Sequence, residues 1–409
     1  MTQTRKKQIL IAMILFTFAC LFGFLLYYLF TRTSIIRPLP IQPVSTTTIP
    51  GLPTAGERPE VIPGEEGQLP VLLPTAGEIS KPGPAYIRPE AVERITTDYA
   101  IHTAITPNGS LRYHNANDGK FYKIDSEGIA EKLSNKVFYN VDNVAWANGK
   151  DVAVIEYPDG SNIIYDFENT KQVTVPKHWE EFSFAPEDDQ IGAKSMGLSE
   201  SNRWLISVKT DGTGTKLIEP MGKYADKVDV TWSPTGQTLA FSRTGDIVGA
   251  DREEVLFVGL HGENFKSLVV EGFDFRHQWS PTGKQLLFST YSDRSDYKPE
   301  LWIASSFGDN IGSNRTLLNL DTWADKCTFA GQTALYCAVP QTMPRGAGMA
   351  PEIVNDVYDN LYKIDLKTRA KTPVTLDGKY TIDSINYDVT SNKVLFTDKN
   401  KTGVYKVNL

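Results

Sequence analysis

Three stretches late in the chain carry the residue types from which recognition surfaces are usually made. Arg243 to Glu254 contains Arg243, Asp246, Asp251 and Arg252; Thr290 to Glu300 contains Tyr291, Asp293, Arg294 and Tyr297; Pro340 to Asn360 contains Arg345, Asp356 and Tyr358. Tyr and Arg bring large contact area, and the charges fix orientation. Catalytic and metal chemistry demand stricter spacing. His102, His114, His178, His261 and His277 show no His-x-x-x-His pattern, and the three cysteines make no Cys-x-x-Cys. Gly192-Ala-Lys-Ser-Met-Gly197 has the wrong spacing for a nucleophile elbow. Asn115-Ala-Asn-Asp-Gly119 shares the composition of a calcium loop but lacks its ligand spacing and closing Glu. It reads as a strand-joining turn, and Glu187-Asp-Asp189 with Glu180 and Glu181 reads as solvated acidic surface. No catalytic residue, cofactor or metal is expected.

The elements that must hold the three stretches are announced by a segment that occurs twice. Val230-Thr-Trp-Ser-Pro-Thr-Gly-Gln-Thr-Leu-Ala-Phe-Ser242 is followed, 47 residues later, by Gln278-Trp-Ser-Pro-Thr-Gly-Lys-Gln-Leu-Leu-Phe-Ser289. In both, an apolar run ends at Trp, a Ser-Pro-Thr-Gly turn follows, and a second apolar run begins, which is a hairpin pattern. A spacing in the forties is that of propeller blades.

Degenerate copies extend the pattern. They are Ile105-Thr-Pro-Asn-Gly109, Val144-Ala-Trp-Ala-Asn-Gly149, Phe182-Ser-Phe-Ala-Pro186, Cys327-Thr-Phe-Ala-Gly331 and Ile385-Asn-Tyr-Asp388. Third strands recur as Phe121-Tyr-Lys-Ile-Asp125, Leu361-Tyr-Lys-Ile-Asp365 and Val404-Tyr-Lys-Val-Asn408, with Leu256–Val258 and Leu301–Ile303 in the same slot. The expected fold is all-β: a seven-bladed β-propeller over residues 89–409, with the five degenerate copies leaving six or eight blades open. The seventh blade ends at its third strand, and Ala91 to Thr96 is a spare strand expected to close it, since closure removes an exposed sheet edge. All second-to-third connections emerge on one face, so the three long insertions are expected to crowd together there.

The two strong hairpins resemble WD40-like repeats of the TolB type, with Thr235 and Thr282 where Asp usually precedes the Gly. The resemblance implies a propeller for the last three quarters of the chain and is specific for fold rather than function.

Ahead of the propeller the composition changes. Ile9 to Phe30 carries no charge and is long enough to span a bilayer, too long for the apolar core of a cleaved signal peptide. Arg5, Lys6 and Lys7 keep residues 1–8 cytoplasmic, so 9–30 is expected to be a transmembrane signal-anchor. Residues 31–88 are rich in Pro and Thr and poor in residues to bury, the signature of a disordered stalk. Such a topology places the propeller outside the cell membrane. There Cys327 and Cys337, ten apart on adjacent strands, are candidates for a disulfide. A net charge of -7 argues against nucleic acid as a partner.

The expected function is that of a bacterial, membrane-anchored, non-enzymatic binding or scaffold module. It would recognise an envelope protein, peptide or glycan on the insertion face, with the bilayer held through residues 9–30. The alternative is a cell-surface hydrolase or lyase with its site at the channel mouth.

Overall fold

Seven antiparallel sheets succeed one another along the chain, each begun by one of the seven expected hairpins. The computed structural model describes residues 90–249 and 251–409, together with Leu21. The expected tail (1–8), membrane-spanning run (9–30) and linker (31–88) therefore lie outside the described residues, Leu21 apart. Among the described residues no helix is long and apolar enough to cross a membrane.

The first and last strands of each blade are as follows: blade 1, Ala100–Ile105 and Ala130–Lys132; blade 2, Asn143–Trp146 and Lys171–Val175; blade 3, Trp179–Phe184 and Lys216–Pro220; blade 4, Val228–Val230 and Leu268–Glu271; blade 5, Phe273–Trp279 and Thr316–Leu317; blade 6, Cys327–Phe329 and Lys371–Val374. Blade 7 starts at Ile382–Asp388 and takes its outer strand from Val92–Arg94, which pairs antiparallel with Val404–Asn408 (Val92 opposite Val407, Arg94 opposite Tyr405). The first described residues thus close the sheet left open by the last ones, and no blade keeps a missing strand.

Packing follows the same order. Each blade shares an apolar core with the next, and the seventh shares one with the first: Leu395 and Val404 of blade 7 pack with Leu111, Tyr113 and Ile124 of blade 1. Blades 4 and 5 illustrate the pattern, with Phe241 and Phe257 against Phe275, Leu286 and Phe288. Period-two strands bury both faces this way, which explains their runs of Val, Ile, Leu and Phe.

The repeated Ser-Pro-Thr-Gly turns explain themselves locally. Gly236 and Gly283 adopt positive φ (73° and 66°) and donate to the carbonyls of Ser233 and Ser280 at 2.9 and 2.8 Å. The serine hydroxyls accept from Thr238 N and Gln285 N at 3.0 Å, closing the far side of the turn. Cys327 and Cys337 face each other across the first two strands of blade 6 and are joined as a disulfide in the buried interior.

One insertion is more ordered than the spacing predicts. Residues 243–254 were expected as a loop, but Ile247–Gly249 pairs with Arg252 and Glu253, so the third strand of blade 4 begins at Arg252 rather than Leu256. Asp251 at φ 55° helps the chain reverse there.

Candidate functional site

Because strands alternate in direction, first-to-second and third-to-fourth turns lie on one face, the turn face. Second-to-third connections and the links between blades lie on the other, the insertion face. Apolar exposure is divided unequally between them. Tyr99, Tyr139, Leu198, Tyr224, Ile247, Val248, Phe273, Met349, Ile353 and Tyr358 are exposed at the insertion face, against Ile129, Phe307 and Val389 at the turn face.

The three insertions touch in sequence. Glu271, at the end of blade 4, has a side chain only 11% exposed. One of its oxygens takes Arg252 (Nη2 3.2 Å) from the first insertion, and the other takes Arg294 (Nη2 2.5 Å) from the second. Gly272 N donates to Asp251 O at 2.6 Å. The second insertion meets the third through Gly346 N to Asp296 O (2.9 Å), Gly348 N to Tyr297 O (2.7 Å) and an open Arg345–Asp296 pair at 3.8 Å. The third insertion carries its own small core, in which Ala347 and Val354 pack on Trp323 with Met343 and Val357 beside them. Met343 therefore folds back, while Met349 and Ile353 stay exposed. Lys399 Nζ, from blade 7, donates to Asn355 Oδ1 at 2.8 Å and extends the surface over a fourth blade.

Asp251, Arg252, Tyr291, Arg294, Tyr297 and Arg345 are thus brought together. The rings of Tyr291 and Phe273 lie 6.0 Å apart and those of Tyr291 and Tyr297 6.3 Å apart. Burial, then the charge of Asp274, raises the Tyr291 phenol pKa. Asp246, Asp293 and Asp356 are exposed. Tyr358 stands apart toward blade 7, where the Lys379 ammonium lies 5.4 Å from its ring.

Arg243 does not belong to this platform. Its Nε lies 3.5 Å from Asp229 Oδ2, on the inner strands. There it lies beside a ring of polar side chains whose recurrence spacing did not reveal. A His, Asp or Glu stands at the insertion-face end of the innermost part of every blade: His102, Asp142, Glu181, Asp229, Asp274, Asp325 and Asp383. The signal that could have found them is their recurrence upstream of each hairpin turn. It was masked because bulges in the first strands of blades 1, 3, 5 and 7 change the spacing.

On blades 5 to 7 the carboxylates are largely matched. Arg276 bridges Asp274 (2.8 Å) and Asp325 (3.1 Å), and Lys399 lies 3.9 Å from Asp383. On blades 2 to 4, Lys194 is shared by Glu180 and Glu181, and Arg243 serves Asp229. Burial raises the Asp229 pKa against the opposing pull of Arg243, and Glu181 adds to the rise. Glu156, on the second strand of blade 2, is likewise raised by burial, partly offset by the amide of Asn143 at 2.8 Å. Burial lowers His102, with Asp142 opposing. His277 lies 4.7 Å from the Phe241 ring and 5.3 Å from that of Phe275; burial and then Arg243 lower its pKa to about 4. Among the described residues no group of three or more His, Cys, Asp or Glu is placed to hold a metal ion.

These features define a seven-bladed β-propeller, and solved structures bear that out. The chain is similar to the β-propeller domain of Myceliophteria thermophila Cps50 (Swd1), with a TM-score of 0.53 and 13% identity over 78% of this chain and 99% of that one. It is similar to an oligogalacturonate lyase in complex with manganese, with a TM-score of 0.55 and 14% identity over 78% and 93%. A third likeness is to Kuenenia stuttgartiensis hydrazine synthase, with a TM-score of 0.50 and 13% identity over 78% and 97%. At these identities the likeness is one of fold, which scaffolds and enzymes share. No family model matches the chain, and no curated protein matches it.

Proposed function

We propose that the chain is a membrane-anchored, extracytoplasmic propeller of the TolB type that binds an envelope protein, peptide or glycan on its insertion face and catalyses no reaction. The observation that carries this reading is the continuity of the three insertions through Glu271, Asp296 and Tyr297, which presents exposed apolar and Tyr/Arg side chains on a rigid ring. An apolar patch of this kind marks interaction sites. The bilayer contact through residues 9–30 and the spacer 31–88 would set the distance at which the face is displayed.

Cross-linking in intact cells followed by affinity capture of the full chain tests it. Wild type is compared with Ile247→Asp/Met349→Asp/Tyr358→Ala, all exposed positions. A partner retained by wild type and reduced at least about tenfold by the triple variant, at unchanged melting temperature, is the expected outcome. Equal capture by both sinks the reading.

A second reading, a hydrolase or lyase acting on surface polymers, is favoured by one observation: burial, with the charges of Asp142 and Glu181 adding to it, raises the Glu156 pKa at the insertion-face end of blade 2. Turnover of a wall polysaccharide that disappears in Glu156→Gln would replace the binding reading.

A further inference from the structure

The hairpin in the first insertion leaves a strand edge open. Ile247–Gly249 pairs with Arg252 and Glu253 on one side only. The inner strand of blade 4, Val228–Val230, pairs with Ala240–Ser242 and reaches no further, so among the described residues no strand covers the other side of Ile247–Gly249. All three residues are exposed, Ile247 by 84%.

Elsewhere the molecule guards its edges. The outer strands of blades 1, 2, 3 and 6 carry Lys132, Lys171, Lys216 and Lys371, and the last two also carry Pro220 and Pro373. Charges and prolines on an edge keep another chain from pairing there. Ile247-Val-Gly249 has neither. A free edge with two exposed β-branched side chains and no charge is one to which an extended chain adds as a further strand, its main chain supplying hydrogen bonds and its alternate side chains supplying selection.

The charges beside the edge decide which chain. Both arginines of the hairpin are engaged, Arg243 near Asp229 and Arg252 with Glu271. Asp246 and Asp251, both exposed, and Glu253, half-buried, form no ion pair among the described residues. A second copy laid edge to edge would bring these carboxylates against their own kind, and an acidic segment or an anionic lipid surface would be repelled in the same way. A glycan has no row of N–H and C=O groups with which to continue the ladder.

We infer that an extended, basic segment of a partner protein adds as a strand along Ile247–Gly249, with Lys or Arg side chains toward Asp246, Asp251 and Glu253 and apolar side chains on Ile247 and Val248. The inference rests on the binding reading of the insertion face and names the chemistry of the partner and the way it is held.

The test uses the full chain in nanodiscs of zwitterionic lipid, with hydrogen exchange over the hairpin and fluorescence polarisation as readouts. The probes are an acetylated, amidated peptide of four Lys-Val repeats, the same peptide N-methylated at every residue, and a peptide of four Glu-Val repeats. The Lys-Val peptide is expected to slow exchange in the hairpin and to bind with Kd of about 100 μM or tighter at low salt, more weakly at high salt. Removing its N–H donors or reversing its charge should each weaken binding at least about tenfold. Val248→Pro, which places a proline on the edge as blades 3 and 6 do, and Ile247→Lys, which adds the lysine guard, should do the same at unchanged melting temperature. No binding of the Lys-Val peptide, equal binding of either control peptide, dimerisation of the chain through this edge, or binding that survives both substitutions would each overturn strand addition. Partner capture that is lost in Ile247→Asp/Met349→Asp/Tyr358→Ala but equal in wild type and Val248→Pro would leave the insertion-face reading standing while strand addition falls, so the two fail separately.

Discussion

On the turn face, neighbouring blades are locked by buried polar groups. Arg112 of blade 1, 1% exposed, donates to the carbonyls of Lys150 (2.5 Å) and Ala147 (2.6 Å) of blade 2. Asp188 of blade 3, expected from its acidic neighbours to be solvated surface, is instead 4% exposed and accepts from the backbone N–H groups of Asn148, Gly149 and Lys150 at 2.6 to 3.1 Å. On the insertion face the corresponding contact, Arg345 with Asp296, spans 3.8 Å between side chains 72% and 64% exposed. The contacts around Asp188 on the turn face are therefore enforced, whereas the contact between the second and third insertions is adaptable. A buried acceptor cannot be removed without orphaning donors, whereas an exposed ion pair exchanges with water at little cost.

Substitutions at the two kinds of contact are therefore expected to differ in kind. Asp188→Ala should have the largest effect, costing about 2–3 kcal/mol because three backbone donors lose the charged acceptor they share. Urea unfolding reads it as a lower midpoint at constant slope. A loss below about 1 kcal/mol would show that the turn face relaxes as freely as the other.

An intermediate effect is expected at His277, on the inner strand between the faces. Its folded pKa, about 4, lies below the unfolded value of 6.5. The unfolded chain therefore binds more protons in that window, and stability falls as pH drops from 6.5 toward 4. His277→Gln should flatten this dependence by about 1–2 kcal/mol across the window, measured by urea midpoints at several pH values. A slope identical to wild type would remove His277 from the account.

Arg345→Ala should have the smallest effect, within about 0.5 kcal/mol in stability. Its melting temperature should match wild type at both low and high salt, because the pair is screened and solvated. A cost comparable to that of Asp188→Ala would erase the distinction between the faces.

Much of the fold was legible because it is written locally. Trp232-Ser-Pro-Thr-Gly236 and Trp279-Ser-Pro-Thr-Gly283 specify their own turns through serine hydroxyls and glycine φ, within a few residues. Alternating apolar residues then tell each strand which side to bury. The spare strand near Val92 and the Cys327–Cys337 neighbourhood follow from counting strands around a closed ring. The three insertions were also legible, since long loops interrupt a regular period.

What the tertiary structure alone decided is which residues meet across blades. Glu271 joins Arg252 to Arg294, Arg276 joins Asp274 to Asp325, and Arg243 turns toward Asp229 instead of joining the platform. Bulges in four first strands shift the alternation by a residue and so hide the recurring carboxylates from a period-two reading. The uncharged mouth on the turn face is equally invisible in one dimension, because its lining runs from Ile105 to Val389 and converges only when seven blades close around an axis. A turn is a property of neighbouring residues along the chain. A cavity on the axis is a property of the closed ring, and it exists only once the last strand pairs with the first.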